Sequence, residues 1–221
     1  MDVNLLVQTV AIYALPVLLA ITLHEAAHGY VARYFGDMTA HAQGRISLNP
    51  IRHIDPVGTI VVPLLILLTS AKLLGGSGLL FGWAKPVPVN YSALRKPRQH
   101  MALVAAAGPG ANLGMALAWV ALLKLSVLMP ENAFSAALDR MSQAGILVNL
   151  IFMFLNLLPI LPLDGGRVVA SLLPIRAAWR YAKLEPWGIP LLLVLLVTNG
   201  LSFLLQPLIE ASDALIRAMV F

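Results

Sequence analysis

Two histidines and a glutamate, in His24-Glu25-Ala26-Ala27-His28, form the stretch of this sequence best suited to chemistry. On a helix, His24 and His28 stand at i and i+4 and project from one face, so both imidazoles can reach one metal ion. Neutral imidazole is a good zinc ligand, and a carboxylate held just off the metal can take a proton from a water there. The spacing therefore predicts a metal site at this stretch, with Glu25 beside it.

The same five residues could arise by chance in a soluble helix, where a single histidine on an apolar face is usually a core residue. The sequence before them argues against that interpretation. Residues 3–23 contain Asn4, Gln8, Thr9 and Thr22 but no charged side chain, so they are apolar enough for a membrane helix. Ionisable groups are costly in such a helix, and a functional role is their default interpretation.

Composition indicates an integral membrane protein built of helices. Of the 221 residues, 59% are hydrophobic and only 11% are charged, and the mean hydropathy is +0.84. This balance leaves too little polar surface for a water-soluble domain of this length. The net charge of +5 fits basic cytoplasmic loops better than a nucleic-acid site. Because the sequence has no cysteine, any zinc must be held by His, Asp or Glu.

The first helix is predicted over about residues 3–35, and Gly36-Asp37 is predicted to end it. Its acidic start and basic end place the start outside and the histidines toward the cytoplasm. The later segments are predicted, in chain order, as a span at about 101–129, a short external loop at 130–142, a span from about 145 through 163 to 173, a span at about 189–205 and an amphipathic helix at 207–221.

Two stretches after the first helix are predicted to be extended. Residues 37–56 alternate loosely and are broken by Gly44 and Pro50, and residues 84–90 are mostly Pro or precede Pro. These stretches could form short β-strands near the site that offer a main-chain edge to an unwound substrate, or merely connect spans. Basic residues flank 57–82 on both sides, which predicts a re-entrant hairpin or a span with a short irregular return.

Asp164 is a third candidate metal ligand. It ends the run Asn156-Leu-Leu-Pro-Ile-Leu-Pro-Leu-Asp164, whose two prolines predict a broken helix. Because this span is entered from outside, Asp164 should emerge near the cytoplasmic end, at the depth of His24 and His28. Asn112 lies in the preceding span and is either glue between helices or a polar group of the site.

Three motifs together resemble the site-2 protease family of intramembrane zinc metalloproteases. They are His24-Glu25-x-x-His28, Gly108-x-x-x-Asn112, and Asn156-x-x-Pro159 leading to Leu163-Asp164-Gly165. The segments Gly44-Arg-Ile-Ser-Leu-Asn-Pro50 and Lys85-Pro-Val-Pro-Val-Asn90 look most similar to the short bacterial and archaeal members. Many bacterial members carry a PDZ domain, and residues 57–100 are too few and too apolar to contain one.

The resemblance implies one zinc ion per chain, bound by His24, His28 and Asp164, with Glu25 as the general base that activates the zinc-bound water. Asn112 and Asn156 match polar positions near the metal, where an amide would bind the scissile carbonyl or its oxyanion.

The expected fold is an all-α polytopic membrane protein with about four to six membrane segments. Residues 1–221 are expected to form one domain, with a core at 1–174 and a last span and amphipathic tail at 175–221. The cytoplasmic (inner) membrane is the expected location, with the N-terminus outside and the active site toward the cytoplasm.

The implied activity is hydrolysis of peptide bonds in or near transmembrane segments of other proteins, as in regulated intramembrane proteolysis. The expected partners are those segments and the lipid bilayer, with no nucleic acid. A metal-ion transporter is one alternative, although no repeated halves are visible, and a non-catalytic metal-binding membrane scaffold is another. Among the other histidines, His53 is expected to cap a turn with Asp55, and His41 and His100 to be solvated.

Overall fold

The computed structural model describes residues 3–53, 55, 58 and 85–220. Short 3-10 turns occur at Pro50–His53 and Tyr91–Ala93. The α-helices of the described ranges are, in chain order, α1 (Val3–Tyr34), α2 (Thr39–Ala42), α3 (Pro97–Leu128), α4 (Ala133–Leu157), α5 (Asp164–Leu172), α6 (Ile175–Ala182), α7 (Glu185–Val197) and α8 (Gly200–Val220).

Helices α1, α3 and α4 are long and apolar enough to cross a membrane. Together α7 and α8 pass the same test as one bent span, which brings the total in the described ranges to three or four. The chain is therefore a multi-pass membrane protein, as its composition predicts. The predicted hairpin at 57–82 lies outside the described residues apart from Gly58.

Helix α3 is the centre of the bundle, since it packs against α1, α4, α5 and α8. On one side it forms an apolar cluster with α4 and α8, in which Trp119 is almost fully buried and Ile216 is contributed by α8. Gly145 of α4 lies against the indole, and a Cβ there would stand 2.3 Å from Trp119 Cδ2. The missing side chain lets α3 and α4 approach closely, as small residues do between membrane helices.

Helix α1 ends where the sequence predicts, at Gly36-Asp37. Gly36 has φ of +108°, and its N–H donates to Arg33 O at 3.0 Å while the Asp37 N–H donates to Ala32 O at 2.9 Å. This pattern is a Schellman motif, which needs a residue that tolerates positive φ. The buried Asp37 carboxylate then accepts the Asn90 N–H at 2.6 Å. The end of α1 thereby anchors the segment that leads into α3.

The prediction of β-strands is wrong for the described residues. Residues 37–53 contain α2 and the first 3-10 turn, and residues 85–90 are extended but pair with no strand in the part of the chain described. Proline supplies no N–H to a ladder. The N–H groups of Val87 and Asn90 donate instead to side-chain carboxylates on α1 and just after it.

The predicted external loop at 130–142 is much shorter than expected, because α4 already begins at Ala133. Asn132 accepts the Ser135 N–H at 3.0 Å, and Ser135 Oγ accepts the Asn132 N–H at 3.0 Å. This reciprocal pair is a capping box, which satisfies donors at the start of the helix. The polar residues that resemble a loop therefore begin a helix.

The predicted span at about 189–205 falls on α7 and the first part of α8, which pass the test for a membrane span together but are bent. The chain breaks between α7 and α8, whose axes are bent by 78°, and Asn199 in the break has φ of +57°. Asparagine tolerates this left-handed conformation better than most residues. The predicted amphipathic helix at 207–221 falls on α8 as far as Val220, and there Arg217 and Asp213 form an exposed ion pair.

Replacement of Gly145 by alanine should destabilise the bundle. The new Cβ would meet the rigid indole at 2.3 Å, and overpacking typically costs about 1–3 kcal/mol, against at most about 1 kcal/mol gained in helix propensity. Thermal unfolding in detergent, followed by helical circular dichroism, should show a lower midpoint. Gly114→Ala is the matched control, because a Cβ there meets no described atom within 4 Å. Equal midpoints for both variants would contradict this packing argument.

Candidate metal centre

His24 and His28 lie one turn apart on α1 and face the interior of the bundle. Both residues are buried, their rings meet edge to face with centroids 4.7 Å apart, and their Nε2 atoms are 3.1 Å apart. The helical spacing predicted for this pair is therefore confirmed. The ability of the two rings to bind a metal depends on which nitrogen of each ring carries hydrogen.

Helix α3 determines that choice. His24 Nδ1 lies 2.6 Å from Asn112 Oδ1, and His28 Nδ1 lies 2.7 Å from the Val104 carbonyl oxygen. Both partners are carbonyl oxygens, which only accept hydrogen bonds, so each Nδ1 donates. In a neutral ring the Nε2 atom then presents a lone pair, and both lone pairs point to the same place.

Asp164, the first residue of α5, completes the cluster. Its Oδ2 lies 3.2 Å from His24 Nε2 and 3.3 Å from His28 Nε2. One ligand atom from each of these three residues falls within 4.8 Å of the other two. The structure therefore brings together the three residues that the sequence singles out as metal ligands, although α1 and α5 are far apart in the chain.

The cluster suits a zinc ion on two observations. Asp164 Oδ2 is buried and has no hydrogen-bond partner among the described residues, although it faces two imidazole nitrogens that present lone pairs. A Cβ on Gly108 would lie 2.5 Å from His28 Nε2 and 2.6 Å from His24 Nε2, so the absence of a side chain there keeps space open beside the ligands. Two imidazoles and one carboxylate are a donor set that catalytic zinc accepts, with a fourth position left for water.

The break between α4 and α5 is what aims Asp164 at the histidines. After Leu157 the chain turns without regular helix and restarts at Asp164. A Cβ on Gly165 would lie 2.2 Å from Leu157 O, and one on Gly166 would lie 2.6 Å from Leu161 N. The two glycines after Asp164 therefore allow the new helix to fold back against the turn that precedes it.

Glu25 is half-buried on the same helix as the histidines. Its Oε2 accepts the Val87 N–H at 2.8 Å, so the extended segment 85–90 holds the carboxylate. That segment is fixed in turn, since the Arg45 guanidinium donates to Lys85 O at 2.8 Å. No sequence motif identifies Val87, although the run Pro86-Val87-Pro88 leaves a single N–H between two prolines.

The two asparagines predicted near the metal lie in different surroundings. Asn112 is fully buried and touches both His24 and the backbone of α1 at Ala20, so it belongs to the site and also joins helices. Asn156 is half-buried, and its amide donates to Phe152 O at 3.0 Å within α4. The predicted contact of either amide with a substrate carbonyl stays a prediction.

The remaining histidines lie away from this cluster. His53 is buried, and its Nε2 lies 2.8 Å from Ser47 O, while Asp55 accepts the Gly58 N–H at 2.7 Å. His100 stacks on Phe35 with a centroid distance of 4.0 Å, so it packs more closely than a solvated residue would. His41 is exposed, as predicted.

Comparison with known proteins points to the same chemistry. The sequence profile of peptidase family M50 matches residues 124–198, which include Asp164. The chain is 40% identical over 204 residues to "Putative zinc metalloprotease YwhC" of Bacillus subtilis (strain 168), covering 90% of this chain and 87% of that protein. It is 31% identical over 185 residues to "Putative zinc metalloprotease Rip2" of Mycolicibacterium smegmatis, covering 84% and 66%. No solved structure is significantly similar to the chain.

Replacement of Gly108 by alanine should weaken zinc binding strongly. The new methyl group would stand 2.5–2.6 Å from both Nε2 atoms and would force the imidazoles away from Asp164. We expect zinc affinity to fall by at least ~100-fold, above the range typical for loss of a supporting contact around a metal. Zinc content and competition with a chelator measure this. Gly110→Ala is the control, since its Cβ meets no described atom within 4 Å, and wild-type affinity in Gly108→Ala would contradict the geometry.

Proposed function

Because the chain belongs to peptidase family M50 and is a zinc metalloprotease, we propose that it hydrolyses peptide bonds within or next to transmembrane segments of other membrane proteins. One observation carries the proposal. The largely buried cluster of His24, His28 and Asp164 lies among helices that are long and apolar enough to span a bilayer. A substrate that reaches this cluster must do so at membrane depth.

In this proposal His24, His28 and Asp164 hold one zinc ion. Bound zinc supplies Lewis acidity, which makes a water more acidic and polarises the peptide carbonyl. The chain itself contributes the fixed directions of the two imidazoles and an environment of low dielectric constant, in which electrostatic interactions are stronger than in water.

Glu25 is the general base of the proposed reaction. The Val87 N–H donates to Oε2 of the Glu25 carboxylate at 2.8 Å. This bond orients the carboxylate and leaves the other oxygen, Oε1, to act in catalysis. That second oxygen takes the proton of the attacking water and then gives it to the leaving amine, as general acid–base catalysis requires. The 85–90 segment therefore positions the base.

The substrate helix must unwind locally before it is cut. In a regular helix the carbonyl groups are hydrogen-bonded to the following turn and covered by side chains. Asn156, the more accessible of the two site asparagines, is the candidate to bind the scissile carbonyl once it is freed. Regulated intramembrane proteolysis of single-span proteins is the activity that this requirement fits.

The site faces the cytoplasm in this proposal. The start of α3 and the segment just before it bond to the ends of two other helices. The Arg95 guanidinium, before α3, donates to Tyr34 O, and the Arg98 guanidinium, in the first turn of α3, donates to Ser171 O and Leu173 O. The basic residues near these three ends therefore share one side of the bundle, and an excess of Lys and Arg is typical of cytoplasmic faces. The start of α1 is then outside, in a cytoplasmic membrane.

Glu25→Gln should abolish cleavage while zinc stays bound. The glutamine can still accept the Val87 N–H, but it cannot take a proton. Loss of a general base typically lowers rates ~100- to 10,000-fold. Co-expression with single-span membrane proteins, followed by mass spectrometry of their fragments, measures cleavage, and metal analysis of the purified variant measures zinc. Undiminished cleavage by Glu25→Gln would refute the assigned role.

Val87→Pro should lower kcat by about 10- to 100-fold with little change in KM and in zinc content. Proline removes the N–H that holds Glu25, and a hydrogen bond to a charged group contributes about 1.5–3 kcal/mol. Val89→Pro is a matched control, because Val89 also follows a proline in the same segment but does not contact Glu25 through its N–H. The positioning role is contradicted when both variants have the same kcat.

A further inference from the structure

We propose that Asn149 of α4 is a positioning residue for the metal centre, which fixes the tautomer and direction of His24 by acting through Asn112. The inference rests on the proposed role of His24 as a zinc ligand. Asn149 is not among the residues that the sequence motifs identify. It is nevertheless fully buried, and an amide inside a membrane bundle is costly unless its polar atoms are paired.

The polar atoms of Asn149 are paired in a chain that leads to His24. Its Nδ2 donates to Gly145 O at 2.8 Å, and its Oδ1 accepts from Asn112 Nδ2 at 3.0 Å. Asn112 Oδ1 accepts in turn from His24 Nδ1 at 2.6 Å. Three helices, α4, α3 and α1, are thus connected by consecutive hydrogen bonds that end at a metal-facing imidazole.

A backbone carbonyl fixes the donor-to-acceptor direction of this series of hydrogen bonds. The Gly145 carbonyl can only accept, so the nitrogen of the Asn149 amide must face it and the oxygen must face Asn112. The Asn112 amide is oriented in the same way, with its nitrogen toward Asn149 and its oxygen toward His24. Ala20 O, at 3.4 Å from Asn112 Nδ2, favours the same orientation.

Reversal of the Asn112 amide would disable His24 as a ligand. An amide nitrogen facing Nδ1 would require that atom to accept, and the ring hydrogen would then move to Nε2. A protonated Nε2 has no lone pair for zinc. By holding Asn112 in one orientation, Asn149 raises the fraction of protein that can bind metal, and apparent affinity falls in proportion when that fraction falls.

Packing alone would not select an amide at this position. Asn149 lies on α4, one turn after the glycine that receives the Trp119 ring, and leucine has the same number of side-chain heavy atoms and the same branch at Cγ but no polar group. What an amide offers and leucine lacks is an acceptor for Asn112. This difference separates the positioning role from a purely structural one.

The test is the zinc dissociation constant of the purified full-length chain in detergent, measured by competition with a chromogenic chelator. Asn149→Leu should weaken zinc binding about 10-fold, at the low end of the 10- to 100-fold typical of outer-shell partners of ligating histidines. Asn149→Asp should stay within about 3-fold of wild type. Burial keeps that carboxyl neutral, with one oxygen accepting from Asn112 and the hydroxyl donating to Gly145 O.

Two further variants separate this effect from general damage to the bundle. Ser142→Ala removes another fully buried polar group from α4 outside the hydrogen-bonded chain and should leave zinc affinity unchanged. In the background of Asn112→Leu, the change Asn149→Leu should have no additional effect, since the residue through which it acts is gone. If Asn149→Leu does not fold, Asn149→Ala removes the same acceptor with less bulk.

Wild-type zinc affinity in Asn149→Leu, or an equal loss in Asn149→Leu and Asn149→Asp, would overturn the inference. Failure of the ligand assignment gives a different result. In that case His24→Ala binds zinc as tightly as wild type, whatever the behaviour of the Asn149 variants.

Discussion

Three atoms with lone pairs lie about 3 Å from one another in the interior of an apolar bundle. They are the Nε2 atoms of His24 and His28 and Oδ2 of Asp164. With both Nδ1 atoms already donating to carbonyl oxygens, this arrangement is electrostatically unfavourable without a cation between the three atoms. The proposed zinc ion would therefore act as a structural constraint as well as a catalytic one. It would tie the first long helix to the short helix that begins at Asp164.

Helix α3 is the element that satisfies this constraint. Val104, Gly108 and Asn112 occur at intervals of four residues, so they lie along one face of the helix opposite the two histidines. The outer two orient the imidazoles through oxygen acceptors, and the glycine between them leaves room where a side chain would meet both Nε2 atoms. The acceptor at position 104 is a main-chain carbonyl that any residue supplies, so residue type matters at Gly108 and Asn112, the two residues of the motif on this helix.

On the side of the bundle near Glu25, carboxylates bind the extended segment that β-strand pairing was predicted to hold. Glu25 and Asp37 collect N–H donors from the extended segment that leads into α3, where alternating prolines leave few donors for strand pairing. Because the same hydrogen bond that anchors this segment also orients Glu25, the proposed base, the position of the segment and the direction of that carboxylate are physically linked.

Several features of this protein follow from local chemistry and can be predicted from residue type and spacing. The histidine pair, the stop at Gly36-Asp37, the three long apolar helices and the proline break before Asp164 are all set by residue type and helical period. Which acceptor each buried donor meets follows instead from how the helices pack. The contacts of Val87 with Glu25 and of Asn149 with Asn112, the early start of α4 at Ala133, and the bend between α7 and α8 all depend on it. Residue spacing fixes the face from which a side chain projects, but the partner on that face is set by packing between segments distant in the chain.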